Sequence, residues 1–411
     1  MSPLSFNTAA CLALAGSTLL LAGCGGGAND GDTSATFAAI DATPDAALET
    51  AGFAKKAAAP TLRTASAATV PASVKRIAPA APVVVAPSGS FTLQQRADAA
   101  RLAATNSPYC KSQRPFYWEI GDKSGVKASG NGGAKTVAAP TATTLLNYAS
   151  GSKWIFATYV VQKQQGVLSV SDIKQLNFTS GHTNLDTCIG SSTVASCLSE
   201  PGARGGHNGD HDPAADGRFY YNAGHMQVLA DHVGLGNLRG AGVTAQLQAV
   251  LGNAIGFKYG PSLIAGGVSG TPGAYGEFLR NILGGKYAHM KTLLGSSAVC
   301  THANSPECPS ALYNPLNQSR PGGPNDVGNE ASHYSLGHLV EDDPKNGDGA
   351  FASPGKASFY PWIDRSKTYY GVLATIDATT TTQTSKPAGG VWPANCGRTI
   401  RRAWTNPAAP V

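Results

Sequence analysis

The stretch "NYASGSKWIFATYVV", residues 147–161, decides how the rest of the chain is read, because it sets Ser150 three positions before Lys153 at the head of a long apolar run. On a helix that spacing puts a hydroxyl and an amine on one face, about a turn apart. The amine can take the hydroxyl proton only when neutral, and apolar surroundings such as Trp154-Ile155-Phe156 favour the uncharged form by withholding water. The competing reading is a polar turn on a buried helix. Ser-x-x-Lys alone does not separate the two, since it occurs as Ser124–Lys127, Ser150–Lys153, Ser171–Lys174 and Ser353–Lys356. The first lies in a Gly-rich turn, the third has Ser171 where a helix N-cap belongs, and the fourth contains the helix breaker Pro354. Only Ser150 falls in a long, largely apolar helix, predicted over residues 141–165 with Gly166 as its stop.

Outward from this helix, "RPFYWEIGD" (114–122) reads as a strand ending in a Gly-Asp turn. "SVSDIKQL" (169–176) and "HMQVLADHVG" (225–234) read as further helices, and "SFYPWIDRSKTYYGVLATI" (358–376) as two late strands joined by a turn. Strands early and late with helices between predict an α/β sandwich whose sheet closes with both ends of the chain.

The 411 residues, 42% of them hydrophobic, suffice for a substantial core. Only 14% are charged and the net charge of +6 is spread thinly, with no Lys/Arg block, which excludes a phosphate-tracking nucleic-acid surface. Residues 1–23 carry a short apolar run, "AACLALAGSTLLLAGC" through residue 24, of signal-peptide rather than membrane-spanning length. Leu21, Ala22, Gly23 and Cys24 resemble a bacterial lipobox, which implies a mature N-terminus at Cys24 carrying lipid. An ordinary cleaved signal is the alternative, and the missing Lys or Arg before the run fits a start further upstream. Residues 24–91 are rich in Ala, Thr, Ser and Pro and read as a flexible tether, leaving 92–411 as the folded domain.

Export predicts an oxidising compartment. With Cys11 lost to the signal and Cys24 to lipid, Cys110, Cys188, Cys197, Cys300, Cys308 and Cys396 remain. Short separations suggest Cys188–Cys197 and Cys300–Cys308, leaving Cys110–Cys396 to join the domain's ends, although six cysteines allow fifteen pairings. Zinc is the rival use, but no C-x-x-C pair occurs.

Several segments, in order, resemble the serine β-lactamase and penicillin-binding-protein superfamily, in its class C and esterase branch. "ASGSKWIFATYVVQKQQGVLSVSD" is similar to the nucleophile helix, "LNFTSGHTN" to the segment after it, "GRFYYNAGHMQVLADHVG" to the Tyr-x-Asn motif, and "GGVSGTPGAYGEFLRNILGGKY" to a later helix. "HYSLGHLVEDDPKNGDGAFASPGKASFYPWIDRSKTYYGVLAT" is similar to the strands carrying the third motif, so the resemblance spans roughly residues 110–377. It implies a β-lactamase-like fold, an antiparallel sheet flanked by helices plus a mainly helical subdomain. It also implies Ser150 as acyl-forming nucleophile, Lys153 as its base and the Ser150 N–H as half of an oxyanion hole.

The carry-over departs from the family at two places. Ser353-Pro354-Gly355 stands where Lys-Thr-Gly or His-Ser-Gly is usual on an edge strand, and the lost cation argues for an uncharged ester or amide substrate, contacted by Ser353 and Gly355. Lys356 is a weak replacement, because neighbouring strand positions face opposite ways. "RFYYNAG" offers two registers: literal Tyr-x-Asn selects Tyr220 with Asn222, whereas matching the branch's Phe-x-Tyr pattern through Phe219, with the apolar spacing of the following helix, implies Tyr221 as the catalytic tyrosine and leaves Ala223 at the usual Asn position. Tyr221 is preferred, with Asn222 kept among the substrate contacts.

"GGHNGDHDPAADG" gathers His207, Asp210, His211 and Asp212, but Gly205, Gly206 and Gly209 speak against a helix presenting both imidazoles, so it reads as a solvated rim loop without metal. His182, His225, His333 and His338 read as packing residues, and the absence of Gly-x-Ser-x-Gly disfavours a nucleophile-elbow hydrolase. The expectation is therefore a monomeric serine hydrolase anchored in a bacterial envelope, acting on a small-molecule ester or amide without cofactor. The alternatives are a penicillin-recognising lactamase or carboxypeptidase, and a catalytically silent binding lipoprotein on the same fold.

Overall fold

The computed structural model describes residues 91–408, except 112, 114, 134, 136, 137, 191, 254, 304, 316–329, 357, 358 and 376–390. The signal, Cys24 and all but the last residue of the tether lie outside the described residues. Among the described residues no helix is long and apolar enough to cross a membrane.

The description opens on α1 (Leu93–Asn106), started by a reciprocal capping box between Thr92 and Gln95. β1 (Phe116–Asp122) and β2 (Gly125–Gly132) follow as a hairpin. The mainly helical middle holds α2 (Ser152–Lys163), α3 (Val170–Leu176), α4 (Gly224–Ala230), α5 (Gly240–Leu251) and α6 (Pro272–Gly284). Six strands return to the sheet: β3 (Val299–Cys300), β4 (His333–Ser335), β5 (His338–Glu341), β6 (Ala350–Ala352), β7 (Phe359–Ile363) and β8 (Tyr369–Thr375). α7 (Val391–Thr405) closes the domain.

The sheet runs β2-β1-β8-β7-β6-β5-β4-β3, every neighbour antiparallel, so the first strand pairs with the last, Phe116 opposite Thr375. Strand alternation serves two cores at once. Phe359 and Ile363 of β7 face the helical middle, while Tyr360 and Trp362 face α1 and α7. The predicted sandwich closed by both chain ends is what forms, a mixed α/β fold with a large antiparallel sheet flanked by helices.

Helix α7 carries Arg398 and Arg401 into the interior. Arg398 bonds Glu330 (2.6 Å) and Glu341 (3.0 Å), and Arg401 bonds Glu341 (2.7 Å) and Asp348 (2.8 Å). Burial pushes the Glu341 carboxyl up, but the two guanidiniums outweigh it and hold its pKa at about 2. The six cysteines of the folded domain pair as Cys110–Cys396, Cys188–Cys197 and Cys300–Cys308, the connectivity suggested by sequence proximity.

Three local expectations are corrected. The helix predicted over 141–165 is shorter: Leu146–Asn147 pairs with Val268–Gly270 as a strand, Ala149–Gly151 forms a 3₁₀ turn, and α2 starts at Ser152. Its stop does involve Gly166, at φ +78°. Ser171 lies inside α3, whose N-cap is Ser169 in a capping box with Asp172. The strand that Ser353–Gly355 continues is not an edge strand, because β6 has β5 and β7 on either side.

Candidate active site

The turn that carries Ser150 is tightly bent. Ala149 adopts φ +45°, a left-handed conformation that costs a non-glycine residue energy, and its N–H donates to Asn147 Oδ1 at 2.5 Å. α2 then plunges into the core, with every residue from Ser152 to Val161 buried. The i, i+3 spacing brings Lys153 Nζ to 2.8 Å from Ser150 Oγ, and the amine also donates to the carbonyl of Ala265 at 3.1 Å. Both side chains are almost fully buried, Ser150 at 4% and Lys153 at 1% exposure. The same contact occurs between Lys127 and Ser124 (2.7 Å), but there it is exposed and shared with Asp122. Lys174 pairs with Asp216.

The two tyrosines separate clearly. Lys153 Nζ lies over the Tyr221 ring, 4.8 Å from its centroid, whereas the Tyr220 hydroxyl accepts from Arg204 at 2.7 Å. Tyr221 rests edge-on against Phe178, its centroid 5.3 Å away. Asn222 is turned into the backbone: its Oδ1 accepts from Gly224 (2.7 Å) and Leu185 (3.2 Å), and its Nδ2 donates to Leu185 (3.0 Å). These bonds make Asn222 a brace for the loop ahead of α4.

His225 is fully buried, its Nδ1 accepting from Ser180 N–H (3.3 Å) and its Nε2 therefore donating to the Tyr220 carbonyl (3.0 Å). His338 is stacked on Trp154, accepts from Gly295 N–H and lies as deep. Burial pushes both imidazoles down to a pKa of about 3. Sequence reasoning took both for packing residues and did not foresee that His225 ties Ser180 to the carbonyl preceding Tyr221.

From the sheet side, the Ser353 hydroxyl donates to the carbonyl of Ser150 at 3.1 Å, and Gly355 N–H bonds the Phe359 carbonyl at 2.7 Å. A Cβ on Gly355 would stand 2.2 Å from the Tyr148 carbonyl, so glycine is what lets this strand lie against the turn that carries Ser150. Lys356 is partly exposed just beyond. In the 207–212 loop, Asp210 accepts from the His207 N–H (2.8 Å), and the His211 ring meets that of His182 edge-on at 5.2 Å. Among the described residues no group of three or more His, Cys, Asp or Glu side chains is arranged to hold a metal ion.

No family model matches the sequence, and no curated protein matches it. Solved structures do. D-amino acid amidase from Ochrobactrum anthropi SV3 is 12% identical, with a TM-score of 0.49 over 76% of this chain and 99% of that one. Simvastatin synthase from Aspergillus terreus is 15% identical (TM-score 0.48, 76% of this chain and 98% of that one), and a beta-lactamase from Mycobacterium bovis is 14% identical (TM-score 0.47, 75% and 99%).

Proposed function

We propose that the protein is an exported serine hydrolase of the β-lactamase-like superfamily, lipid-anchored through Cys24, that cleaves an uncharged ester or amide through an acyl-enzyme on Ser150. The observation that carries this reading is the buried 2.8 Å contact between Ser150 Oγ and Lys153 Nζ, with Tyr221 against the same amine. Neutral Lys153 takes the hydroxyl proton as Oγ attacks the carbonyl carbon, and the charge that develops on the substrate oxygen is met by backbone N–H groups, that of Ser150 among them. Tyr221 and Lys153 return the proton to the leaving group. Water then adds to the acyl carbon, gives up a proton to the same pair and releases the acid, restoring the hydroxyl. The Ser353 hydroxyl, occupied with the Ser150 carbonyl where the family offers a cation, supports an uncharged substrate over a β-lactam or a peptide carboxylate.

A panel of p-nitrophenyl esters, amide dimers and β-lactams, run beside a fluorophosphonate probe, tests the reading. Turnover of an ester or amide is expected, with label on Ser150. Ser150→Ala and Lys153→Ala should each abolish turnover and labelling while leaving the melting temperature within a few degrees, since these groups serve the site more than the core. Full activity in Ser150→Ala would sink the mechanism, and membrane fractionation unchanged in Cys24→Ala would remove the anchor.

A further inference from the structure

The carbonyls around Ser150 receive more than helical geometry supplies. The Ser150 carbonyl accepts from Ser353 Oγ, as described, and the next carbonyl, that of Gly151, accepts from the hydroxyl of Tyr275 at 2.8 Å. Tyr275 sits in the first turn of α6, fully buried, its ring edge-on to Tyr148 (5.0 Å), Phe359 (5.1 Å) and Phe278 (5.4 Å). The exchange is reciprocal: Tyr148, at the head of the nucleophile turn, sends its own hydroxyl to the carbonyl of Thr271, the N-cap of α6 (2.7 Å). Burial pushes both phenols well above their ordinary pKa, so each remains a donor at any working pH.

We infer that Tyr275 is a positioning residue for the nucleophile: its hydroxyl fixes the peptide plane that follows Gly151, and with Ser353 and Asn147 it holds the bent Ala149–Gly151 turn in its reactive geometry. The Asn147 side chain grips the peptide before Ala149, Ser353 the peptide after Ser150, and Tyr275 the peptide after Gly151, so three planes around the serine are each tied to a different element. A turn bent through a left-handed alanine needs such ties, because without them it relaxes and carries Oγ off its line to the substrate carbonyl. The inference rests on Ser150 being the nucleophile, and it moves Ser353 from contacting substrate to shaping the serine.

Tyr275→Phe keeps the ring and removes one oxygen. Tyr287→Phe makes the same change at another buried tyrosine, whose hydroxyl donates to the Leu251 carbonyl (2.9 Å) at the far end of α5, and serves as the comparison. In the full chain, kcat and KM for a p-nitrophenyl ester and the saturating rate of fluorophosphonate labelling are measured for both, with the labelled serine of the unsubstituted protein mapped by mass. Tyr275→Phe should lower kcat and the saturating labelling rate about tenfold or more with KM within about twofold, the signature of a misplaced but intact nucleophile. Tyr287→Phe should keep kcat while losing a comparable amount of melting temperature. A kcat for Tyr275→Phe within about twofold of the unsubstituted value, or an equal fall in both variants, overturns the inference. Label on a serine other than Ser150 in the unsubstituted protein overturns the nucleophile assignment itself, and the inference with it.

Discussion

Replacing Cys110 and Cys396 together by alanine tests how the two ends of the domain are held. The bridge spans a sequence separation of 286, against 9 for Cys188–Cys197. In the loop-entropy treatment, closing the long loop removes about 6 kcal/mol of unfolded-state freedom and closing the short one about 3 kcal/mol. The first figure is an upper value, because real unfolded chains retain structure that shortens the loop. At roughly 2 °C per kcal/mol for a fold of this size, the long-loop variant should melt up to about 12 °C lower, and about twice as far below the parent as Cys188→Ala/Cys197→Ala. The loss should come from the unfolded ensemble and not from a loosened native helix, because α7 stays held by Arg398 and Arg401 on Glu330, Glu341 and Asp348. The assay is urea unfolding of both double variants, with amide exchange of residues 391–405 under native conditions. A long-loop variant that loses no more stability than the short-loop one refutes the entropy reasoning, and fast exchange in α7 would show that the bridge acts on the native state.

Two further outcomes follow from the site and the core. Tyr221→Phe should lower turnover by roughly a hundredfold, the usual scale for a positioned proton carrier, while Tyr220→Phe should cost little turnover because its hydroxyl serves Arg204; initial rates on an ester decide it, and the reverse order would restore the literal Tyr-x-Asn register. His225 and His338 are held neutral in the fold with pKa about 3 but take up protons near pH 6.5 when unfolded, so their contribution is complete above that pH and drains away as pH falls toward 3. Between pH 7.5 and 5, where few carboxylates titrate, each should forfeit about 2 kcal/mol, read as a falling urea midpoint; a flat midpoint over that range would contradict the burial assigned to them.

The parts of the fold legible in the sequence are those where one physical signal dominates. β1, β7 and β8 announce themselves because aromatic and β-branched residues crowd between turn residues, and the serine-lysine pair is visible because the apolar run behind it is unbroken. α7 escaped notice for the opposite reason: its inward face carries Arg398 and Arg401, and charges that are buried by pairing look like solvent-facing charges in a sequence. α1 buries only alanines, Ala97, Ala100, Ala103 and Ala104, which leaves a faint stripe, although Thr92 with Gln95 was a readable capping box. The head of α2 was misjudged because the 3₁₀ turn and the short strand before it are set by pairing with Val268–Gly270, more than a hundred residues away. The Ser152 hydroxyl accepts from the Val268 N–H, a second contact to that distant strand which helix spacing does not encode. The contacts of Ser353 and Tyr275 with the turn that carries Ser150 are tertiary, and no local pattern encodes them.

The side-by-side placement of α1 and α7 also has a use at the bench. Arg96 near the start of α1 donates to the carbonyls of Trp404 and Thr405 at the end of α7, so the two ends of the folded domain meet at one corner. That corner lies on the sheet face opposite the one that packs against the helix of Lys153. A reporter or affinity handle fused at either end would therefore stand clear of the serine, and a short linker joining the ends would permit circular permutation, with new termini opened in the exposed turn between β1 and β2.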